Sequence, residues 1–288
     1  MPELPEVEVV KRSLENKINN LTIKTIFINN NKLRYKINNR KFYKIKGKKI
    51  ISIKRRSKYL LINLNNGLTI LAHLGMTGKF LIVDENNKKQ KTSFYYSINE
   101  NISKHDHVTF YLNRGFKLIY NDVRKFGFLK LLKSKNILTS NHLQFLGPEP
   151  LTKKFNLKYV IKYIFNKNNK IKDLLMDQRF VSGLGNIYCN EILFLCKLNP
   201  LKISKKVNKK EIVNIIKFTK KVLNKSIVQG GSSIKNFANP GGKNGNFQQK
   251  FNVYGREKKE CNRKNCLGVI KKIYICNRAS FLCSRCQK

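Results

Sequence analysis

The stretch IKDLLMDQRFVSGLGNIYCNEILFLCKL, residues 171–198, has apolar residues at helical spacing on both sides of the motif GLGNIY. Glycines before a helix N-terminus let backbone N–H groups point at an anion, and Asn186 in this motif adds a side-chain donor. A tight turn between two helices would need the same glycines. The stretch therefore predicts a helical domain and leaves a phosphate-binding turn as one of two interpretations.

The part of the chain before this region has a different pattern. From about 20 to 133, short β-branched runs alternate with Asn/Gly turns, and NNG at 65–67 and NRG at 113–115 predict hairpins. An N-terminal helix over 3–18 is indicated by five apolar residues at helical spacing: Leu4, Val7, Val10, Leu14 and Ile18. We therefore expect a multi-domain α+β protein with an all-β domain first and a helical domain second.

Composition changes suggest where the domains meet. LGPEPL at 146–151 is typical of a hinge, and NPGGKNGNFQQKF at 239–251 is too glycine-rich for regular structure and predicts a mobile loop. The expected boundaries are as follows: 1–133 for the N-terminal domain, 134–150 for the hinge, 151–238 for the helical domain, 239–251 for the loop and 252–288 for a cysteine-rich module.

Five of the seven cysteines fall in the last thirty residues. Four of them have the spacing C-x4-C-x16-C-x2-C, namely Cys261, Cys266, Cys283 and Cys286. Two such knuckles supply the four thiolates of a tetrahedral zinc site, and a metal would replace the core that so small a module cannot build. Cys276 lies between the knuckles and is expected to be a packed or surface thiol. Arg278, in RAS at 278–280, is expected at a hairpin tip, either reaching a phosphate or solvated.

The chain has 60 Lys and Arg against 16 Asp and Glu, a formal net charge of +44. This charge favours a polyanionic partner, although part of the lysine excess accompanies a general richness in Asn and Ile. No run approaches the roughly 18–20 apolar residues of a membrane helix, and the acidic start does not resemble a signal peptide. We expect a soluble intracellular protein with no membrane association.

Two loops carry residues suited to opening a base stack. YNDVRKFGF at 120–128 places Arg124 and Phe126 two apart, so an extended chain would put them on one face. HLGMTGKF at 73–80 adds Met76 after a turn. An arginine beside apolar wedges can enter a base stack and hold it open. Core packing is the alternative for Met76 and Phe126.

The opening MPELPEVEVV raises the possibility of chemistry at the N-terminus. A small second residue favours removal of Met1, which would leave Pro2 as a free secondary amine. An α-amine has a pKa near 8, against about 10.4 for lysine, so it is a nucleophile at neutral pH without special burial. Attack on a sugar C1′ would give an iminium ion, with Glu3 as a proton donor or shuttle. Processing without any catalytic purpose is the alternative.

These stretches occur in an order that resembles bacterial formamidopyrimidine-DNA glycosylase from the first residue to the last. The matching stretches are MPELPEVEVV, RRSKYL, HLGMTGKF, KHDH, NDVRKFG, LGPEP, IKDLLMDQRFVSGLGNIYCNEILF, GGSSIKNF, VYGR and the cysteine knuckles. The resemblance implies an N-terminal β-sandwich with a flanking helix, a helix–two-turn–helix domain and a C-terminal zinc-finger β-hairpin. It also implies a monomeric base-excision repair enzyme of the cytoplasm and nucleoid. Such an enzyme removes 8-oxoguanine and formamidopyrimidines from double-stranded DNA and cuts the strand by β,δ-elimination.

The resemblance assigns roles to individual residues. The catalytic set is Pro2 as Schiff-base nucleophile, Glu3 as proton donor, Lys58 as proton donor for β-elimination, Lys172 as an aid to base excision and Arg278 as proton donor for δ-elimination. The DNA-contacting set is His73, Met76, Arg124, Phe126, Asn186 and Arg278. One structural Zn²⁺ is expected on the four cysteines, and the loop at 239–251 corresponds to the lid over the everted base.

The chain departs from the family pattern in its first knuckle, which is C-x4-C where the family has C-x2-C. The turn of this knuckle must therefore differ. Two rival functions fit the same features: the sister enzyme endonuclease VIII, which removes oxidised pyrimidines, and a zinc protein that binds nucleic acid without catalysis. Leu4 and the set Met76, Arg124 and Phe126 favour the purine enzyme over the first rival. The joint presence of Pro2, Glu3, Lys58 and Lys172 favours catalysis over the second.

Overall fold

The computed structural model describes residues 1–86, 88–93, 103–232 and 251–288. These residues form two compact units, one made of 1–144 with 229–232 and the other of 145–228 with 251–288. The predicted loop at 239–251 lies outside the described residues except for Phe251.

The first unit begins with helix α1, Leu4–Ile18. All five apolar residues that predicted this helix are buried, with exposures of 1 % or less. Pro5 stands in the first turn, where its missing N–H leaves no intrahelical bond unmade. The helix ends at Ile18, with Asn19 as its C-cap residue, and the following Asn20 takes a left-handed conformation with φ of 66°.

Two antiparallel sheets make up most of the first unit. The five-stranded sheet has the order β1-β7-β8-β5-β6, and the four-stranded sheet has the order β2-β3-β4-β9. The strands are β1 Ile23–Ile28, β2 Ile50–Arg56, β3 Tyr59–Leu64, β4 Leu68–His73, β5 Lys79–Val83, β6 Lys89–Lys91, β7 Asp106–Leu112, β8 Lys117–Asn121 and β9 Phe128–Lys133, with a short helix α2 at Asn39–Tyr43. Apolar residues of both sheets and of α1 share one core. The predicted β-sandwich with a flanking helix is confirmed, and both predicted hairpin turns join consecutive strands.

The second unit contains four α-helices and one hairpin among its described residues. The helices are α3 Leu157–Ile164, α4 Ile171–Met176, α5 Asn186–Leu195 and α6 Lys209–Val228, and the hairpin is β10 Ile270–Ile275 with β11 Arg278–Cys283. Within the described part of the chain, no helix has both the length and the apolar character needed to span a bilayer.

Helix α5 holds the cysteine-rich module through polar side chains. Asn186 donates from Nδ2 to the Ala279 carbonyl at 2.9 Å, and Asn190 accepts from the Phe281 N–H at 2.8 Å. Residues four apart lie on one helix face, so the two amides follow β11. The hairpin is thereby fixed along the helix.

Glu191, next to Asn190 on α5, anchors the chain that leads into the module. Its carboxylate is 2 % exposed and accepts four hydrogen bonds. The donors are the Asn252 N–H and Nδ2, the Val253 N–H and the Tyr254 N–H, at 2.9 to 3.0 Å. The desolvation cost of this buried charge is offset by these donors.

Glu191→Gln should destabilise the second unit by about 3 kcal/mol, because the amide would turn an NH₂ group towards donors that now meet a carboxylate oxygen. Urea unfolding would measure the change. Glu257→Gln is the matched control, since Glu257 is half-exposed and pairs with Lys272 at 3.5 Å in solvent. Equal stability of the two variants would contradict the anchoring role of Glu191.

Candidate active-site residues and metal centre

The N-terminal amine of the first unit lies among charged side chains. Burial lowers the pKa of the Met1 amine below its ordinary value of 8.0. The carboxylates of Glu3 and Glu6 oppose this shift, whereas Lys58 and Arg124 lower the pKa further. The structure thus brings three predicted site residues, Glu3, Lys58 and Arg124, close to the chain terminus.

Local structure explains why Pro2 and Lys58 are held in this region. Pro2 is buried next to Glu3, which is the N-cap residue of α1. Lys58 stands in the two-residue turn between β2 and β3, where Ser57 adopts φ of 56°. The Lys58 side chain is only 7 % exposed. The turn therefore places the Lys58 side chain against other protein groups, with little exposure to bulk water.

Glu6 is a further buried carboxylate that the sequence reading did not identify. Its Oε2 accepts from the Glu3 N–H at 2.8 Å, and its Oε1 accepts from the Ser232 N–H at 2.8 Å and the Ser232 hydroxyl at 2.9 Å. Gly231 has φ of +84°, and a Cβ there would lie 3.1 Å from Glu6 Oε1. Glu6 therefore connects the start of α1 to the chain just before the undescribed residues 233–250.

The predicted wedge residues are exposed and close together. Met76 is 42 % exposed and Phe126 46 %, which excludes core packing for both. The Arg124 guanidinium lies 4.4 Å from the centre of the Phe126 ring. However, residues 122–127 are not a strand: Arg124 is in a turn and Lys125 has φ of 56°. The extended interpretation of this stretch is wrong, and the turn itself brings the two side chains together.

A buried carboxylate holds the two wedge loops to each other. Asp122 is fully buried and accepts from the Thr77 hydroxyl at 2.5 Å and from the Gly127 N–H at 2.8 Å. Gly75 has φ of +58°, and a Cβ there would lie 2.5 Å from the Gly127 nitrogen. This close backbone approach requires glycine and sets Met76 beside the loop of Phe126.

His73, at the end of β4, is neutral at physiological pH. Burial lowers its pKa from 6.5 to about 4, and the positive charges of Lys58 and Arg34 add to the effect, as does His142. His73 Nδ1 accepts from the Gly75 N–H at 3.1 Å, so the ring proton resides on Nε2. A neutral Nε2–H is a suitable donor to a phosphate oxygen.

In the second unit, Lys172 and Asn186 form hydrogen bonds with the hairpin of β10 and β11. Lys172 is 1 % exposed, and its Nζ donates to Asn186 Oδ1 at 2.7 Å, to the Ser280 hydroxyl at 2.5 Å and to the Ala279 carbonyl at 3.4 Å. Three donors with three acceptors satisfy the ammonium group. Lys172 therefore links α4, α5 and β11, a connection that sequence spacing could not reveal because Ser280 is 108 positions away.

The tip of the hairpin differs from the expectation for RAS at 278–280. The turn consists of Cys276 and Asn277, with φ of 44° and 58°, and Arg278 pairs with Ile275 as the first residue of β11. A two-residue turn with both residues at positive φ matches the right-handed twist of the strands. Arg278 is exposed beside the tip, and Cys276 is exposed at the tip itself.

Four cysteines of the module form a site that could hold a metal ion. Their sulfurs all lie within 4.8 Å of one another, and the Sγ atoms are 3.9 Å apart for Cys261 and Cys286 and 3.7 Å apart for Cys266 and Cys283. A tetrahedron of sulfurs about 2.3 Å from a central ion has edges of roughly 3.8 Å. A Cβ at Gly268 would lie 2.5 Å from Cys283 Sγ, so glycine is needed there. The four cysteines fit a tetrahedral thiolate-bound ion.

Family models match most of the chain. The formamidopyrimidine-DNA glycosylase N-terminal domain matches residues 1–129, and the formamidopyrimidine-DNA glycosylase H2TH domain matches residues 146–238.

Curated relatives and solved structures are similar over the full length. The formamidopyrimidine-DNA glycosylase of Rickettsia bellii is 40 % identical over 288 residues, covering 100 % of both chains, and that of Roseobacter denitrificans is 38 % identical with the same coverage. A Lactococcus lactis FPG mutant, in complex with DNA containing Fapy-dG, has a TM-score of 0.85 and 33 % identity over 100 % of both chains. The L. lactis Fpg complex with DNA containing an abasic site has a TM-score of 0.85 and 32 % identity over 99 % of both chains.

Gly75→Ala should destabilise the first unit by roughly 2 kcal/mol or more beyond Gly67→Ala. Both glycines have positive φ, but a Cβ at Gly67 meets nothing within 4 Å. The comparison therefore separates the clash with the Gly127 backbone from the strain of the left-handed conformation. Urea unfolding would measure both variants, and equal losses would show that the loop contact does not require glycine.

The low pKa of His73 should make the protein less stable as the pH falls from about 6.5 to about 4, because only the unfolded chain takes up this proton there. His73→Asn keeps an acceptor for the Gly75 N–H and removes the titration. Relative to the wild type, this variant should gain up to about 3 kcal/mol of stability over that interval. Unfolding curves measured from pH 7 to 4 would test this, and parallel pH profiles would contradict it.

Proposed function

The chain belongs to the formamidopyrimidine-DNA glycosylase family of DNA repair, and from that membership we propose a bifunctional enzyme. It removes oxidised purines, namely 8-oxoguanine and formamidopyrimidines, and then cleaves the abasic site by β,δ-elimination. The observation that carries this proposal is the enclosed N-terminal amine beside Glu3, Lys58 and Arg124.

The nucleophile is Pro2 after removal of Met1. Its secondary amine then occupies the surroundings that lower the pKa of the terminal amine, so a larger fraction is unprotonated at neutral pH. Attack on C1′ breaks the bond to the base, and the base leaves with the proton that the Pro2 nitrogen gives up. Breakage of the C1′–O4′ bond then opens the sugar ring and forms an iminium ion between Pro2 and C1′. Glu3 supplies the proton that the ring-opened sugar oxygen needs, because its carboxyl group is buried beside Pro2 at the start of α1.

The iminium ion then acts as an electron sink for strand cleavage. Loss of the C2′ proton permits departure of the 3′ phosphate, and a second elimination releases the 5′ phosphate. Lys58 serves the first elimination as proton donor, and its enclosed position keeps its ammonium group near the terminus. Arg278 serves the second from its exposed place beside the hairpin tip. Lys172 assists base excision through its bonds to Asn186 and Ser280.

Double-stranded DNA is the partner, and the protein acts as a monomer on the chromosome in the cytoplasm. The wedge of Met76 and Phe126 fills the gap left by the everted nucleotide, and Arg124 faces the orphaned cytosine. His73 donates from neutral Nε2 to a phosphate, and Asn186 and Arg278 make further backbone contacts. The net charge of +44 supports phosphate binding and steep salt dependence.

The metal on the four cysteines is one structural Zn²⁺, held by Cys261, Cys266, Cys283 and Cys286. Zinc is the usual ion for four thiolates, and it stabilises a module that has little core of its own. The module's core cluster contains six buried residues, two of which are cysteines of this set. Zinc has no part in the reaction steps.

The first test is trapping with borohydride on duplexes that carry 8-oxoguanine opposite cytosine or a preformed abasic site. Intact mass should show a chain without Met1 and an adduct on Pro2. Glu3→Gln should slow base excision by about 10²- to 10⁴-fold. Glu15→Gln, on the exposed side of the same helix where Glu15 pairs with Lys11, is the matched control and should behave as the wild type.

A chain that lacks Met1 but forms no adduct on either duplex would overturn the proposal in favour of a binding protein. An adduct on oxidised pyrimidines in preference to 8-oxoguanine would instead identify the sister activity. Measuring both lesions under one salt condition distinguishes these outcomes, because the electrostatic part of binding is then common to both.

A further inference from the structure

The first cysteine knuckle, CNRKNC at 261–266, has four residues between its cysteines and carries Arg263 at their centre. A longer knuckle has more conformational freedom than a short one, so it needs a contact of its own to adopt a single pose. Arg263 is half-buried, whereas its neighbour Lys264 is exposed.

Arg263 contacts the C-terminal end of α5 in two ways. Its Nη2 donates to the Phe194 carbonyl at 2.7 Å, and its guanidinium lies 4.8 Å from the centre of the Phe194 ring. Phe194 is in the last turn of α5, and its carbonyl also accepts from the Lys197 N–H at 3.0 Å. Arg263 adds a charge-assisted hydrogen bond to this carbonyl and opposes the negative end of the helix dipole.

The contact of Arg263 lies at one end of the series of contacts that α5 makes with the cysteine-rich module. Asn186 binds the hairpin at the first turn of the helix, Asn190 binds it one turn later, and Phe194 receives Arg263 one turn after that. These three points span about 12 Å along the helix axis. Arg263 thus attaches the first knuckle to the end of α5 that lies farthest from Asn186. The second knuckle is attached just beyond this end, where Gln287 donates to the Leu198 carbonyl at 2.9 Å.

Arg263 lies between Cys261 and Cys266 in the sequence, so its positive charge belongs to the knuckle that holds two of the four sulfurs. Four thiolates around a divalent cation carry a net charge of −2, so a fixed positive charge beside the cluster is favourable. Arg263 therefore contacts the helix and also adds a positive charge beside the cluster.

We propose that Arg263 is a positioning residue that fixes the cysteine cluster to the end of α5 and thereby sets the pose of the hairpin carrying Arg278. This inference rests on the proposed function for its consequence in catalysis. With this attachment lost, the first knuckle is held to the helix through the metal cluster and the second knuckle. The hairpin then moves about Asn186 and Asn190, and Arg278 no longer keeps one position relative to Lys172 and Asn186. The second elimination then suffers more than the first.

The test compares Arg263→Gln with Lys264→Gln in the zinc-loaded full-length protein, since both remove one positive charge from the same knuckle. Arg263→Gln should release zinc to a chelator roughly tenfold faster than the wild type, because it loses a charge-assisted hydrogen bond and a helix-end charge. It should also raise hydrogen exchange in the hairpin at 270–283 and increase the share of β-product over δ-product on an abasic duplex. Lys264→Gln should match the wild type in all three measurements.

Arg263→Lys keeps the charge but loses the planar guanidinium group. Its zinc release and hairpin exchange should lie between those of Arg263→Gln and Lys264→Gln. This milder variant also keeps the test valid if Arg263→Gln misfolds. Equal zinc release and equal hairpin exchange in Arg263→Gln and Lys264→Gln would overturn the proposal. If the wild type forms no adduct or cleavage product, the proposed function fails, and the zinc-release and exchange measurements still decide the role of Arg263.

Discussion

The position of the cysteine-rich module depends on polar groups of α5 that are buried against it. A module of under forty residues with so small a core cannot hold its own orientation by apolar packing. The Glu191 carboxylate and the amides of Asn186 and Asn190 instead supply specific hydrogen bonds to named backbone atoms. Such bonds contribute little net stability but exclude alternative poses, because any slip would leave buried groups unpaired. Helix α5 therefore fixes the position of the hairpin, and Lys172 belongs to the same network of hydrogen bonds.

The first unit uses buried carboxylates in a comparable way. Asp122 joins the two wedge loops, and Glu6 joins the start of α1 to Ser232. In a chain of net charge +44, these few anions lie where loops have to converge. A carboxylate can accept several N–H groups at once, so it fixes loops that have no common sheet or helix. The acidic N-terminal stretch is therefore both a structural junction and the surroundings of the terminal amine.

Sequence periodicity predicted the elements but not the connections between them. The spacing of Leu4 to Ile18 gave α1, and the NNG and NRG turns gave two hairpins, because these signals are local. Glu191 and Asn190 were missed since their partners lie more than sixty positions away, although adjacent polar residues in an apolar helix are a usable signal. The turn at 122–127 was not predictable, because the period-2 spacing of Arg124 and Phe126 says nothing of a non-glycine residue at positive φ, such as Lys125. The cysteine cluster was predictable because metal ligation limits the two cysteines of each knuckle to a narrow range of spacings.

The surroundings of the amines explain why a terminal proline, and not a lysine, suits the proposed role of nucleophile. Lys172 donates hydrogen bonds from its Nζ to Asn186, Ser280 and Ala279, so its amine is engaged within the protein. The terminal amine starts from a lower pKa than any lysine, and burial together with Lys58 and Arg124 lowers it further. Glu3 and Glu6 oppose that shift. In the proposed reaction, the nearby cations thus favour the neutral nucleophile, while the carboxylates accept and return the protons that its chemistry moves.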